Sequence, residues 1–162
     1  MTQKEYYKKI KSFDPEKKSE LLKALSFIEK HKSDMYSEKE KVIYLSDIAM
    51  THMRHGDNKS SLKYLRLADR YIENKYKGGL KELMLSYAFS EELYDYIATP
   101  MEHIQLVLYR GILFAEQGNW ETAAAMGRRA NVLIKENVRK LTKDHGTAVD
   151  VTIENDKDGK IL

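Results

Sequence analysis

The chain has 162 residues, 42% of them apolar and 33% charged, with a net charge of +3 and no cysteine. That length suits one domain with a sizeable core. The missing cysteine excludes disulfides, Cys-based metal sites and a Cys nucleophile, and no apolar run approaches the ~18 residues of a membrane span.

With 2 Pro and 8 Gly in the whole chain, breakers are few and an all-α fold is expected. A short Lys-rich helix is predicted from Glu5 to Phe13. Asp14-Pro15-Glu16 is a helix-start signal, with an N-cap acceptor, Pro at the first helical position and an acid in the first turn. Leu21, Leu22, Leu25 and Ile28 follow at helical spacing, and the helix fades near His31-Lys32-Ser33-Asp34. Ser37 and Glu40 form a capping box for a helix reaching about Arg54. Gly56 suits a left-handed C-cap, and Asp57 or Asn58 caps a next helix with Leu62, Leu65, Ala68 and Ile72 on one side. Lys77-Gly78-Gly79 breaks the chain, and Leu80 to Ile97 is predicted as a further helix. Thr99-Pro100 opens another, Gly118-Asn119-Trp120 turns the chain, and the last helix runs from Glu121 to about Leu141. Residues 1–141 are thus read as one all-α domain. The tail, 142–162, alternates like a strand at Ala148–Ile153 and is expected to be docked, poorly structured or cut short.

One pattern is written twice. Leu45, Ile48, Ala49, His52, Gly56-Asp57, Ser61, Leu65 and Ala68 are echoed by Val107, Gly111, Phe114, Gly118-Asn119, Ala123 and Ala130. Small residues let two helices approach closely: Ala49 against Ser61, then Gly111 against Ala123. At these positions the chain resembles the tetratricopeptide repeat, over about residues 37–136. The copies lie 62 residues apart, Gly56 to Gly118, where that family repeats at about 34. The resemblance implies antiparallel helix hairpins in a compact right-handed stack. A narrower resemblance rests on Tyr96, Pro100, Glu102, Tyr109, Gly118, Ala123 and Arg128-Arg129-Ala130. These are similar to an uncharacterised bacterial family of TPR-like secreted proteins or lipoproteins, which implies an envelope-associated scaffold without catalytic residues. Met1–Tyr7 lacks the apolar segment of an export signal, so the compartment is open: inside the cell as written, or the envelope if a signal has been removed.

In repeat folds of this type the first helix of each pair lines a concave face. Transfer of the positions gives Ile43, Ser46, Met50, Met53 and Arg54, then Gln105, Leu108, Ile112 and Glu116. Met50, Met53 and Ile112 would form an adaptable apolar floor, with Arg54 and Glu116 selecting charge. In Arg128-Arg129, one Arg is expected to pair with Glu102 or another acid across the helices and the other to face a groove. His52 and His55 share a helix face, but His52 falls at a core aromatic position. Glu154-x-Asp156-x-Asp158-Gly159 resembles half a calcium loop, for which a hairpin turn or acidic tail is the simpler reading. No nucleophile-elbow or phosphate-loop motif is present. Lys and Arg mostly alternate with Asp and Glu, dense only at Lys4–Lys11 and Lys135–Lys143, so a nucleic-acid stripe is not expected. The expectation is a protein- or peptide-binding scaffold with no catalytic activity, cofactor or metal; the alternative is a structural or self-associating module.

Overall fold

The computed structural model describes residues 1–37, 40–77 and 98–145, without the side chains of 76, 77 and 140–145. Every regular element among them is an α-helix: α1 (Gln3–Ser12), α2 (Lys18–Lys30), α3 (Lys32–Met35), α4 (Lys41–Arg54), α5 (Asn58–Lys77), α6 (Pro100–Glu116) and α7 (Trp120–His145). The helix expected over Leu80–Ile97, the strand-like Ala148–Ile153 and the acidic Glu154–Gly159 lie outside the described residues.

Local sequence explains most helix ends. Thr2 and Glu5 close a capping box on α1, and Thr99 and Glu102 close another on α6 with Pro100 in its first turn. Before α4, the Glu40 carboxylate accepts from the Ser37 N–H at 2.8 Å. Asp14-Pro15-Glu16 does not open α2. The Asp14 carboxylate accepts the Glu16 N–H at 3.0 Å, a local turn, and the helix begins only at Lys18. At the other end, α7 continues four residues past Leu141 to His145.

The turns after α4 and α6 are built alike. Gly56 and Gly118 both have φ +74°, the left-handed conformation in which a Cβ is strained. In the first turn, Gly56 N–H donates to Met53 C=O and Asp57 N–H to His52 C=O. In the second, Gly118 N–H donates to Ala115 C=O and Asn119 N–H to Phe114 C=O. Each is a Schellman C-cap. Asp57 Oδ1 then accepts from Ser60 N–H, and Asn119 Oδ1 from Thr122 N–H, so the residue that closes one helix also caps the next. The twofold pattern in the sequence is therefore the same hydrogen-bonded turn made twice, 62 residues apart.

Helix α4 packs extensively on α5, and α6 on α7; α5 joins the two hairpins by packing on α6, and α2 packs on the other side of α4. Ala49, Ser61, Leu65, Ala68, Val107 and Leu113 are fully buried. A Cβ added at Gly111 would lie 3.3 Å from Met126 Cβ and 3.7 Å from Ala123 C=O, which explains glycine at this helix crossing. The Ser61 hydroxyl is buried with no hydrogen-bond partner. The equivalent residue is Ala123, so Ser61→Ala is expected to raise stability by about 1 kcal/mol in urea denaturation, since it removes an unsatisfied polar atom without changing the contact.

Candidate functional site

Two places in the fold gather polar or exposed groups that packing alone does not require. The first is an ionic node between the hairpins. Asp69 of α5 stands between the core residues Leu65 and Ile72 and is 4% exposed. His103 and Arg110 of α6 and Arg129 of α7 converge on it. The His103 Nε2–H donates to Oδ1 at 2.8 Å; the Arg129 fork donates to both carboxylate oxygens at 2.6 Å; Arg110 donates to Oδ2. Arg129 also reaches Glu73 at 2.7 Å. Burial alone would raise the pKa of Asp69. The His103 hydrogen bond, the Arg129 fork and the Arg110 charge outweigh it and hold the carboxyl far below the usual carboxylate range. A saturated carboxylate with these partners offers no lone pair for a metal and no proton for acid catalysis. Its chemistry is that of a clamp joining α5, α6 and α7.

The second place is the set of first-helix faces. On α6, Met101, Gln105, Leu108, Ile112 and Glu116 fall at spacings of three and four and share one side. All are exposed, Met101 at 63%, Leu108 at 45% and Ile112 at 48%. The opposite side carries the buried Ile104, Leu106, Val107 and Leu113.

No known protein family, curated protein or solved structure matches this chain.

The predicted groove is thereby divided. Of the α4 members, Ile43, Ser46, Met50 and Met53 are half-buried and Arg54 is exposed. Ile43 packs against Tyr6, Ile28, Tyr36 and Ile48, and the Ser46 hydroxyl donates to Val42 C=O at 2.8 Å. Arg54 donates to Ile10 C=O and Lys11 C=O at 3.1 and 2.8 Å, which ties it to the end of α1. Met50, Met53 and Arg54 line a cleft shared with α1. The α6 members Gln105, Leu108 and Ile112 are open to solvent, and Glu116 accepts from Asn58 Nδ2 at 2.9 Å. Arg128 and Arg129 part company: Arg128 is exposed, while Arg129 pairs with Asp69 and Glu73. Glu102, the partner named as an example from sequence, serves the N-cap of α6.

His52 stacks on Tyr64 with ring planes 12° apart, and its Nδ1 meets Asp57 Oδ2 at 2.9 Å; the His55 Nδ1–H donates to Thr51 C=O. The two rings are thus held by different partners. Sequence reasoning missed the node around Asp69. Its signal is present: Asp69 and Arg110 sit at positions of apolar helix stripes, where an unpaired charge is costly and opposite signs on neighbouring helices imply a pair.

Proposed function

We propose that this protein is a non-catalytic helical scaffold that binds a protein or peptide along the exposed side of α6. One observation carries the reading: Met101, Leu108 and Ile112 are apolar, exposed and aligned on a helix whose other sides are buried. Apolar stripes rimmed by polar groups mark interaction sites, and here Gln105 and Glu116 flank the stripe. The resemblance to the tetratricopeptide repeat supports the same reading, because the first helix of each pair would line the recognition face. On α4 the matching face lies under α1 and α2, so the binding surface belongs to the second hairpin.

The test is partner capture by the wild type and by the double variant Leu108→Glu, Ile112→Glu. Both positions are solvent-facing, so the fold should survive, as checked by circular dichroism. The captured protein should be lost, with affinity at least about 100-fold lower, the scale on which interface anchors act. Unchanged capture would refute the assignment.

A second reading has its own support. Ile72 of α5 is buried in the core with Leu106 and Leu113 of α6, whereas Ile134, 62 residues later on α7, is 45% exposed. That surface suits another copy of the chain. Light scattering separates the two readings: a strict monomer at high concentration counts against self-association.

A further inference from the structure

Helix α1 bridges α4 at two points and leaves a space between them. At one end the Tyr7 hydroxyl donates to Asp47 Oδ2 at 3.0 Å; at the other, Arg54 holds the last carbonyls of α1. Asp47 and Arg54 are seven residues apart on α4, roughly 10 Å along the helix axis. Between them lies a cleft of about 440 Å³ floored by Ile10, Met50 and Met53. That volume falls within the roughly 300–1,000 Å³ of small-molecule sites, which are mostly apolar with a few placed polar groups.

The charges are segregated. At the Asp47 end, the carboxylate oxygen facing α1 takes two hydroxyl donors, Tyr7 and Tyr36, the latter at 2.5 Å. At the other end stand Lys11 and Arg54. Among the described residues neither is paired with a carboxylate: Arg54 meets only backbone carbonyls, and Lys11 has no ion pair. Two cations without a carboxylate partner at the end of an apolar cleft complement an anion carrying an apolar chain.

We propose that the α1–α4 cleft binds a free single-chain amphiphilic anion, with an acyl tail of medium length against Ile10, Met50 and Met53 and its carboxylate at Lys11 and Arg54. This site is separate from the α6 stripe and stands whether or not that stripe binds a partner. Flexible thioethers suit a tail with no fixed shape. The cation end sets polarity, because a cationic head of the same tail length would meet Lys11 and Arg54 with like charge.

The test uses the full chain and calorimetric titration with decanoate below its micelle concentration, against decyltrimethylammonium and octanoate. Decanoate should bind and decyltrimethylammonium should not. Octanoate, two methylenes shorter, should bind on the order of tenfold more weakly. Met50→Trp, which fills the cleft, should abolish binding. Lys11→Glu, an exposed change that cannot disturb the core, should weaken it about fivefold or more and remove its salt dependence. No heat with decanoate, equal binding of the cationic amphiphile, or unchanged affinity in Lys11→Glu would overturn the proposal. So would sedimentation with phosphatidylglycerol vesicles without binding of free decanoate, which would place the chemistry at a bilayer. Leu108→Glu, Ile112→Glu should leave decanoate affinity unchanged; a loss there would overturn the location in the cleft.

Discussion

Replacing Asp69 by asparagine is expected to destabilise the fold by about 3–5 kcal/mol, a fall on the order of 10 °C in melting temperature for a chain of this size. The carboxylate accepts from His103, Arg110 and both prongs of Arg129. Asparagine keeps the shape but supplies no charge, and its amide N–H groups face guanidinium donors. Arg110 would then be left inside the hairpin junction without its counter-charge, and Arg129 with Glu73 alone, which is the costly way to break a buried pair. The effect should be concentrated where α5, α6 and α7 meet, with faster hydrogen exchange across that junction.

The same node sets the acid response. The folded-state pKa of Asp69 is depressed below its unfolded value, so its contribution is fully present above the ordinary carboxylate pKa of ~3.9 and is lost as pH falls below it. Asp47 acts in the opposite sense. Burial raises its pKa more than the Tyr36 and Tyr7 donors lower it, so its contribution is greatest below the unfolded value and is lost as pH rises through the folded one. Melting temperature followed against pH should therefore fall steeply below about pH 4 in the wild type. In Asp69→Asn that acid limb should flatten. A limb of unchanged slope would show that the node does not carry the acid sensitivity.

Tyr6→Ala is the second large effect, about 3–5 kcal/mol, and it should be local. Tyr6 is 1% exposed. Its ring stacks on Phe27 at 5.5 Å and meets Tyr36 edge-on at 5.9 Å. Its hydroxyl lies 2.9 Å from that of Tyr36. Because Tyr36 donates its proton to Asp47, the Tyr6 hydroxyl donates to Tyr36, and a proton-ordered chain links α1 to α4. Removal of the ring takes the main buried anchor of α1, which otherwise has sparse contacts with α2 and the exposed bridges to α4 through Tyr7 and Arg54. Exchange of α1 amides should accelerate on the order of 100-fold or more while α6 and α7 are little changed, and protease should cut in 13–17. Tyr6→Phe should retain the packing and lose only about 1 kcal/mol. Uniform loosening of the whole chain by Tyr6→Ala would contradict a local anchor.

Where the chain repeats itself, the fold was legible from the residues. Gly56 and Gly118 with the acceptors Asp57 and Asn119 encode a complete helix–turn–helix in short-range chemistry, and the buried stripe Leu62, Leu65, Ala68 and Ile72 follows from periodicity alone. Asp14-Pro15-Glu16 misled because an aspartate side chain can close a turn on itself as readily as cap a helix. Leu22, read as part of the α2 stripe, is 70% exposed, since Leu21, Ala24 and Ile28 make the buried side. The node was legible only in part: Asp69 and Arg110 stand out as charges on apolar stripes, but Asp69 and Arg129 are 60 residues apart, and only the packing of the two hairpins brings them together. The predicted groove was half legible for a related reason. Periodicity picks out the side of a helix that faces away from its hairpin partner, and cannot tell that α1 covers that side on α4 while α6 leaves it open.

The most direct measurement is site-specific photo-crosslinking in the native cell, with the photoreactive residue at position 108 and, as a control, at exposed position 66 on α5. The scaffold reading predicts an adduct to a different protein from 108 and none from 66. Adducts only between copies of the chain, or equal labelling from both positions, would contradict it.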